Sequence, residues 1–90
     1  MDKRRLLKLR VQAQELKPTL HIGKDGLNER VIAEISRQLK NAKVMKIRVL
    51  NSFEGDRREI AQTLATRTSS VLVDVRGSTV VLAKEENGQI

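Results

Sequence analysis

A chain of 90 residues with no cysteine, one histidine (His21) and one aromatic residue (Phe53) excludes a disulfide framework, a thiolate metal site and a multi-histidine zinc site. Eighteen Lys and Arg against eleven Asp and Glu give a net charge of +7 and an isoelectric point near 10.4, the electrostatic signature of a polyanion binder. No apolar run approaches the roughly 18 residues of a membrane span, and a single aromatic leaves little to insert at a membrane surface.

The basic start of the chain is not followed by an uninterrupted apolar segment, so no signal peptide is expected and the expected location is the cytoplasm. Hydrophobic residues make up 39% of the chain, enough for one modest core. A single domain over residues 1–84 is expected, with residues 85–90 a polar, frayed tail.

Taken in order, Asp2 can cap a first helix running to about residue 17, with Leu6, Leu9, Ala13 and Leu16 on one stripe. Leu7 and Val11 fall off that stripe and are expected to meet the fold from its flank, whereas Lys3, Arg4 and Lys8 face away. Pro18 ends the helix. Residues 19–22 read as a short strand, with Leu20 and Ile22 on one side and His21 on the other.

The stretch Gly23-Lys24-Asp25-Gly26 follows. Two glycines three apart permit positive φ and close approach of another molecule, and Lys24 places a cation at the tip. A carboxylate repels phosphate, so Asp25 is expected to shape the turn. The loop feeds the start of a helix, where free N–H groups and the dipole favour an anion.

Asn28 caps a second helix over 29–41, with Val31, Ile32, Ile35 and Leu39 inward and Arg30, Glu34, Arg37 and Lys40 outward. A second strand over 44–50 alternates Met45, Ile47 and Val49 with Lys46 and Arg48. Those two cations are expected on an open, solvent-facing side of the sheet together with His21. Asp56 and Glu59 have capping-box spacing and start a third helix carrying Ile60, Ala61, Leu64 and Ala65 to about residue 67. Two β-branched runs, 71–76 and 79–84, flank Gly77-Ser78, a two-residue hairpin signal.

The element order is therefore α-β-α-β-α-β-β. Leu16-Lys17-Pro18, the run Ile22-Gly23-Lys24-Asp25-Gly26-Leu27, the helix from Val31 through Leu39, Lys46-Ile47-Arg48-Val49 and Gly77 together resemble the chloroplast RNA splicing and ribosome maturation (CRM) domain in its stand-alone, YhbY-like form. The resemblance covers nearly the whole chain. It implies an α/β (α+β) two-layer sandwich similar to the C-terminal domain of translation initiation factor three with an added N-terminal helix. In that arrangement the helices cover one face of a mixed four-stranded sheet, and the final strand inserts between the second and third. It also implies RNA binding, through a loop that maps here to Gly23, Lys24, Asp25 and Gly26. Stand-alone members are associated with large ribosomal subunit precursors, and plant members with intron splicing. Two departures stand out: Lys43 replaces a frequent acidic residue before the second strand, and Ala83-Lys84 replaces a frequent Tyr-Arg at the end of the last.

The expected partner is thus RNA, ribosomal or pre-ribosomal, met by a monomer without cofactor, metal ion, membrane or small-molecule substrate. The expected contact residues are the glycine loop with Arg4, Lys8, Arg30, Arg37, Lys46 and Arg48. No nucleophile with an orienting partner and no paired-carboxylate spacing is recognisable, so no catalytic residue is expected. A KH domain also meets RNA through a G-x-x-G loop, but there the loop joins two helices, whereas here a strand precedes it. The remaining alternative is a structural protein-interaction module or a permanent ribosome-associated component.

Overall fold

The computed structural model describes residues 2–85. Seven elements appear in the expected order: α1 (Lys3–Gln14), β1 (Leu20–Ile22), α2 (Glu29–Asn41), β2 (Val44–Val49), α3 (Arg57–Arg67), β3 (Ser70–Arg76) and β4 (Thr79–Lys84). Each helix start has the expected side-chain cap. Asp2 accepts from the Arg4 amide, Asn28 from Val31, and Asp56 from Arg58 and Glu59.

The four strands form one sheet in the order β1-β2-β4-β3. β1 runs parallel to β2, and β4 is antiparallel to both β2 and β3. The sheet is therefore mixed, with the last strand inserted between the second and third. The chirality of crossover connections explains the helix placement. β1-α2-β2 and β2-α3-β3 each join parallel strands and step in the same direction across the sheet, so right-handed crossovers put both helices on one face. There Ile35, Leu39, Ile60, Ala61, Leu64 and Ala65 pack on Ile22, Met45, Ile47, Val49, Val80 and Leu82.

The first helix departs from the expectation that all three helices share a face. Leu9 and Ala13 of α1 pack, with Leu6, on Val73, Val81, Ala83 and Val44, which alternate with the residues of the main core and so point the other way. α1 is not part of a strand-to-strand crossover, so handedness does not bind it to the α2/α3 side. Two consequences follow for β4. Both its faces are covered, and Val80, Val81, Leu82 and Ala83 are all buried, the continuous apolar run of a strand with no wet side.

The helix also stops earlier than the expected residue 17. A proline at position 18 supplies no N–H to the Gln14 carbonyl and crowds it, and Gln14 is the last helical residue. Amide bonds from Glu15 to Gln12 and from Leu16 to Ala13 tighten the exit. Leu16 is consequently exposed rather than on the buried stripe, and Leu7 and Val11, 57% and 63% exposed, do not meet the fold from the flank.

In β3 the register shifts between Leu72 and Asp74. Leu72 opposes Leu82 on the main-core side, and strict alternation would send Asp74 to the same side. The bulge instead sets Asp74 opposite Val81, on the α1 side, and returns Val75 to the main core. A carboxylate is thereby kept out of the apolar layer, where an unpaired charge is strongly disfavoured. Glu85 follows β4 and is exposed; the expectation of a frayed tail over 86–90 lies outside the described residues.

Candidate nucleic-acid interface

The glycine loop leaves the C-terminal end of β1. Its turn is closed by a backbone bond from the Gly26 amide to the Gly23 carbonyl at 2.9 Å. The two glycines serve different needs. Gly26 adopts φ +63°, a left-handed conformation, with the Phe53 ring beneath it. Gly23 is not in that region; a Cβ there would lie 2.9 Å from Ser52 Oγ and 3.3 Å from Leu50 Cδ1, so a larger residue would require those two exposed side chains to shift. The expectation of positive φ thus holds at Gly26 alone. The 50–56 segment buttresses the loop from below, tied by the Leu50 amide to the Ile22 carbonyl at 2.7 Å. Phe53 is engaged in this support and is partly buried.

Lys24 and Asp25 are exposed at the tip. Asp25 was expected to shape the turn, yet its carboxylate accepts no hydrogen bond among the described residues; backbone closure and Gly26 supply the shape. The start of α2 is also less available to an anion than expected. Asn28 already caps the Val31 amide, and Glu29, itself paired with Arg67, carries a negative charge in the first turn. The cation of the loop is Lys24.

Across the sheet, pairing places His21 beside Arg48, Arg48 beside Thr79, and Thr79 beside Arg76. One row therefore crosses all four strands on the α1 side, spanning roughly 14 Å at about 4.8 Å per strand. His21, Arg48 and Arg76 are exposed, and none forms an ion pair among the described residues. The glycine loop and the Gly77-Ser78 hairpin turn lie at the same end, since the Val49 amide bonds the Ser78 carbonyl at 2.7 Å and the Leu50 amide bonds Ile22.

This face is not open as expected. α1 lies over its other part, and Lys46, in the next row with Val81 and Asp74, is half-buried beside α1. Arg48 remains uncovered because α1 has ended at Gln14.

The remaining expected contacts separate. Arg4 and Lys8 lie at the N-terminal part of α1, where with Lys43 they border a shallow groove toward the opposite end of β2 from the loop. Arg30 and Arg37 lie on α2, in the layer on the other side of the sheet. Arg37 is engaged: its guanidinium hydrogen-bonds the Glu34 carboxylate. That bond, with a second from the Gln38 amide at 2.9 Å, holds the Glu34 carboxyl down at about 2, well below its ordinary 4.5. A depressed folded-state value means that this stabilisation is present above about pH 4.5 and is lost as pH falls toward 2. A carboxyl-detected titration is expected to show Glu34 with a midpoint near 2; a midpoint near 4.5 would mean that the pair does not persist in solution.

Three cations were not singled out from the sequence. Arg76 ends a strand and reads as a turn-flanking charge until β3–β4–β2 register aligns it with Arg48. Arg10 is one of five cations on α1, and its Nε donates to the Val73 carbonyl at 3.2 Å, which fixes the helix on the sheet. Lys43 was noted only as a departure from a pattern. Among the described residues no three His, Cys, Asp or Glu come together as a metal site, and no helix is long and apolar enough to cross a membrane.

Residues 1–84 match the model of the CRS1/YhbY (CRM) domain. The chain is 38% identical over 84 residues to the Bacillus subtilis protein named Probable RNA-binding protein YqeI, covering 91% of this chain and 88% of the relative. It is 35% identical over 82 residues to Probable RNA-binding protein MJ0652 of Methanocaldococcus jannaschii, covering 89% of this chain and 60% of the relative. Among solved structures, the solution structure of SAV1595 from Staphylococcus aureus superposes with a TM-score of 0.81 at 37% identity, covering 100% of this chain and 96% of that one. With residues 1–84 matched by that family model, the chain belongs to the CRS1/YhbY (CRM) domain family.

Proposed function

We propose that this protein binds RNA through the end of the sheet where the Gly23, Lys24, Asp25 and Gly26 loop meets the row His21, Arg48 and Arg76. The observation that carries the reading is this convergence. An exposed cation on a glycine turn and two exposed arginines from separate strands meet at one end, in a row without a carboxylate. Phosphates suit such an array, because it offers charge and donors but no free aromatic for stacking. Relatives in two organisms are named as probable RNA-binding proteins, which supports RNA as the partner. Family resemblance supports ribosomal RNA or a large-subunit precursor as the target, in the cytoplasm, with the protein acting as a binding module rather than an enzyme. The positive charge of α1 and of the sheet end opposes pairing of two copies, in keeping with a monomer.

Lys24→Ala is the direct test. It removes no buried contact, so the fold is expected to be unchanged. An exposed ion pair contributes up to about 1 kcal/mol, so affinity should fall a few-fold, by a similar factor for unrelated RNAs. The log–log salt slope should become shallower by about 0.7–0.9. Filter binding at several salt concentrations measures both. Unchanged affinity and slope would remove the loop from the interface. Arg37→Ala, at an ion-paired site in the other layer, is expected to change little.

A further inference from the structure

Between α1 and the sheet, next to the basic row, lies a cleft of about 100 Å³. Its apolar lining comes from Ala13 and Val81, and its polar lining includes Arg10, Lys46, Asp74 and Arg76. The cleft exists because α1 presents its smallest core side chain, Ala13, at the point where it is about to leave the sheet. It is well below the usual 300–1,000 Å³ of a small-molecule pocket, and so suits a fragment rather than a whole nucleotide.

Asp74 is the distinguishing feature. The β3 bulge turns it onto this face, opposite Val81 and in line with Lys46. Among the described residues it is the only acidic one lining a cleft that three cations also line, yet it forms no ion pair with any of them. Its acceptors, the Lys46 ammonium and the Arg76 guanidinium are therefore available to a ligand. Arg10 keeps its Nη donors, since its Nε serves the Val73 carbonyl.

A phosphate does not fit this composition, because Asp74 would repel it and the apolar lining would offer it nothing. A nucleobase does. Single-stranded RNA is read by bases splayed out of the stack, set against side chains and hydrogen-bonded on their edges. Guanine alone presents two adjacent donors, N1–H and N2–H₂, beside the O6 acceptor. A carboxylate can take both donors while a cation takes O6. Adenine would turn its N1 lone pair toward Asp74, and uracil has one donor between two acceptors. Resting on the RNA-binding reading, we propose that this cleft takes one unstacked guanine, held by Asp74 on its N1–H/N2–H₂ edge with Lys46 or Arg76 on O6, while neighbouring phosphates lie along Arg48 and Arg76.

The test uses the full chain and fluorescently labelled eight-nucleotide oligouridines carrying one central guanosine, adenosine or inosine, read by anisotropy. The guanosine oligomer is expected to bind at least about fivefold more tightly than the adenosine one, in line with the discrimination of a bidentate base contact. Inosine, which lacks only the N2 amino group, should fall between them, and this comparison needs no variant. Asp74→Asn should bring the guanosine-to-adenosine ratio toward one, while affinity for the adenosine oligomer stays level or rises as a negative charge is lost. Equal binding of all three oligomers by the parent protein would overturn the cleft and leave RNA binding intact. A uniform gain for every oligomer in Asp74→Asn would also overturn it, since a purely electrostatic role has that outcome. Failure to bind any of them would overturn both readings.

Discussion

Raising monovalent salt from 50 to 200 mM is expected to weaken RNA binding by roughly 50- to 500-fold. It follows from four or five phosphates neutralised by Lys24, Arg48 and Arg76 together with one or two further exposed lysines or arginines. Each phosphate contributes about 0.7 to 0.9 to the log–log slope, depending on strand form. The total slope should therefore lie between about −2.8 and −4.5. Phe53, the one aromatic, is packed beneath Gly26 and is not free to add a salt-insensitive stacking contribution. Binding isotherms across that salt range measure the slope. A value near zero would mean that contacts other than charge dominate, and the basic end of the sheet would then not be the interface.

Leu82→Ala is expected to be among the most damaging single changes to stability, lowering it by about 2–5 kcal/mol. Leu82 is fully buried on the strand that joins the two halves of the sheet, opposite Met45 on one side and Leu72 on the other, beneath α2 and α3. For a domain of this size a loss of about 3 kcal/mol lowers Tm by roughly 12–24 °C. Leu9→Ala on the other face is expected to do less. Among the described residues its cluster under α1 has five buried members against twelve in the main core, so the cavity opens toward solvent more readily. Thermal unfolding of the two variants side by side checks the order. A larger loss from Leu9→Ala would mean that α1 is the principal support of the sheet.

Much of this architecture was legible in the chain because local signals agreed with one another. Asp2, Asn28 and Asp56 each announce a helix start, and Gly77, at φ +57°, turns a hairpin where Gly77-Ser78 predicts one. Alternation in β2 correctly assigned Met45, Ile47 and Val49 to the core. The face chosen by α1 was not legible. A stripe of Leu6, Leu9 and Ala13 fits either side of a sheet, and only the alternation of β4, buried at every position from Val80 to Ala83, reveals a second covered side. That pattern is indistinguishable in sequence from an ordinary apolar strand until strand order is known.

The candidate site divides along the same line. The loop is local, so the sequence of residues 23–26 defines it, apart from the different demands on the two glycines. The basic row is not local. His21, Arg48 and Arg76 are brought together by register between strands up to 55 positions apart, and their alignment depends on β4 lying between β2 and β3. The placement of Asp74 is less legible still, because the bulge breaks the period-two pattern on which strand reading depends.

In the proposed interface, RNA meets the end of the sheet formed by the glycine loop and the row crossing the strands. Titrating isotopically labelled protein with a short single-stranded RNA and following backbone and arginine side-chain resonances tests it most directly. Shifts are expected to concentrate at residues 23–26, at Arg48 and at Arg76, with the exposed side of α3 and the Glu34–Arg37 pair of α2 unchanged. Shifts confined to the exposed surfaces of α2 and α3, with the loop and both arginines silent, would contradict it.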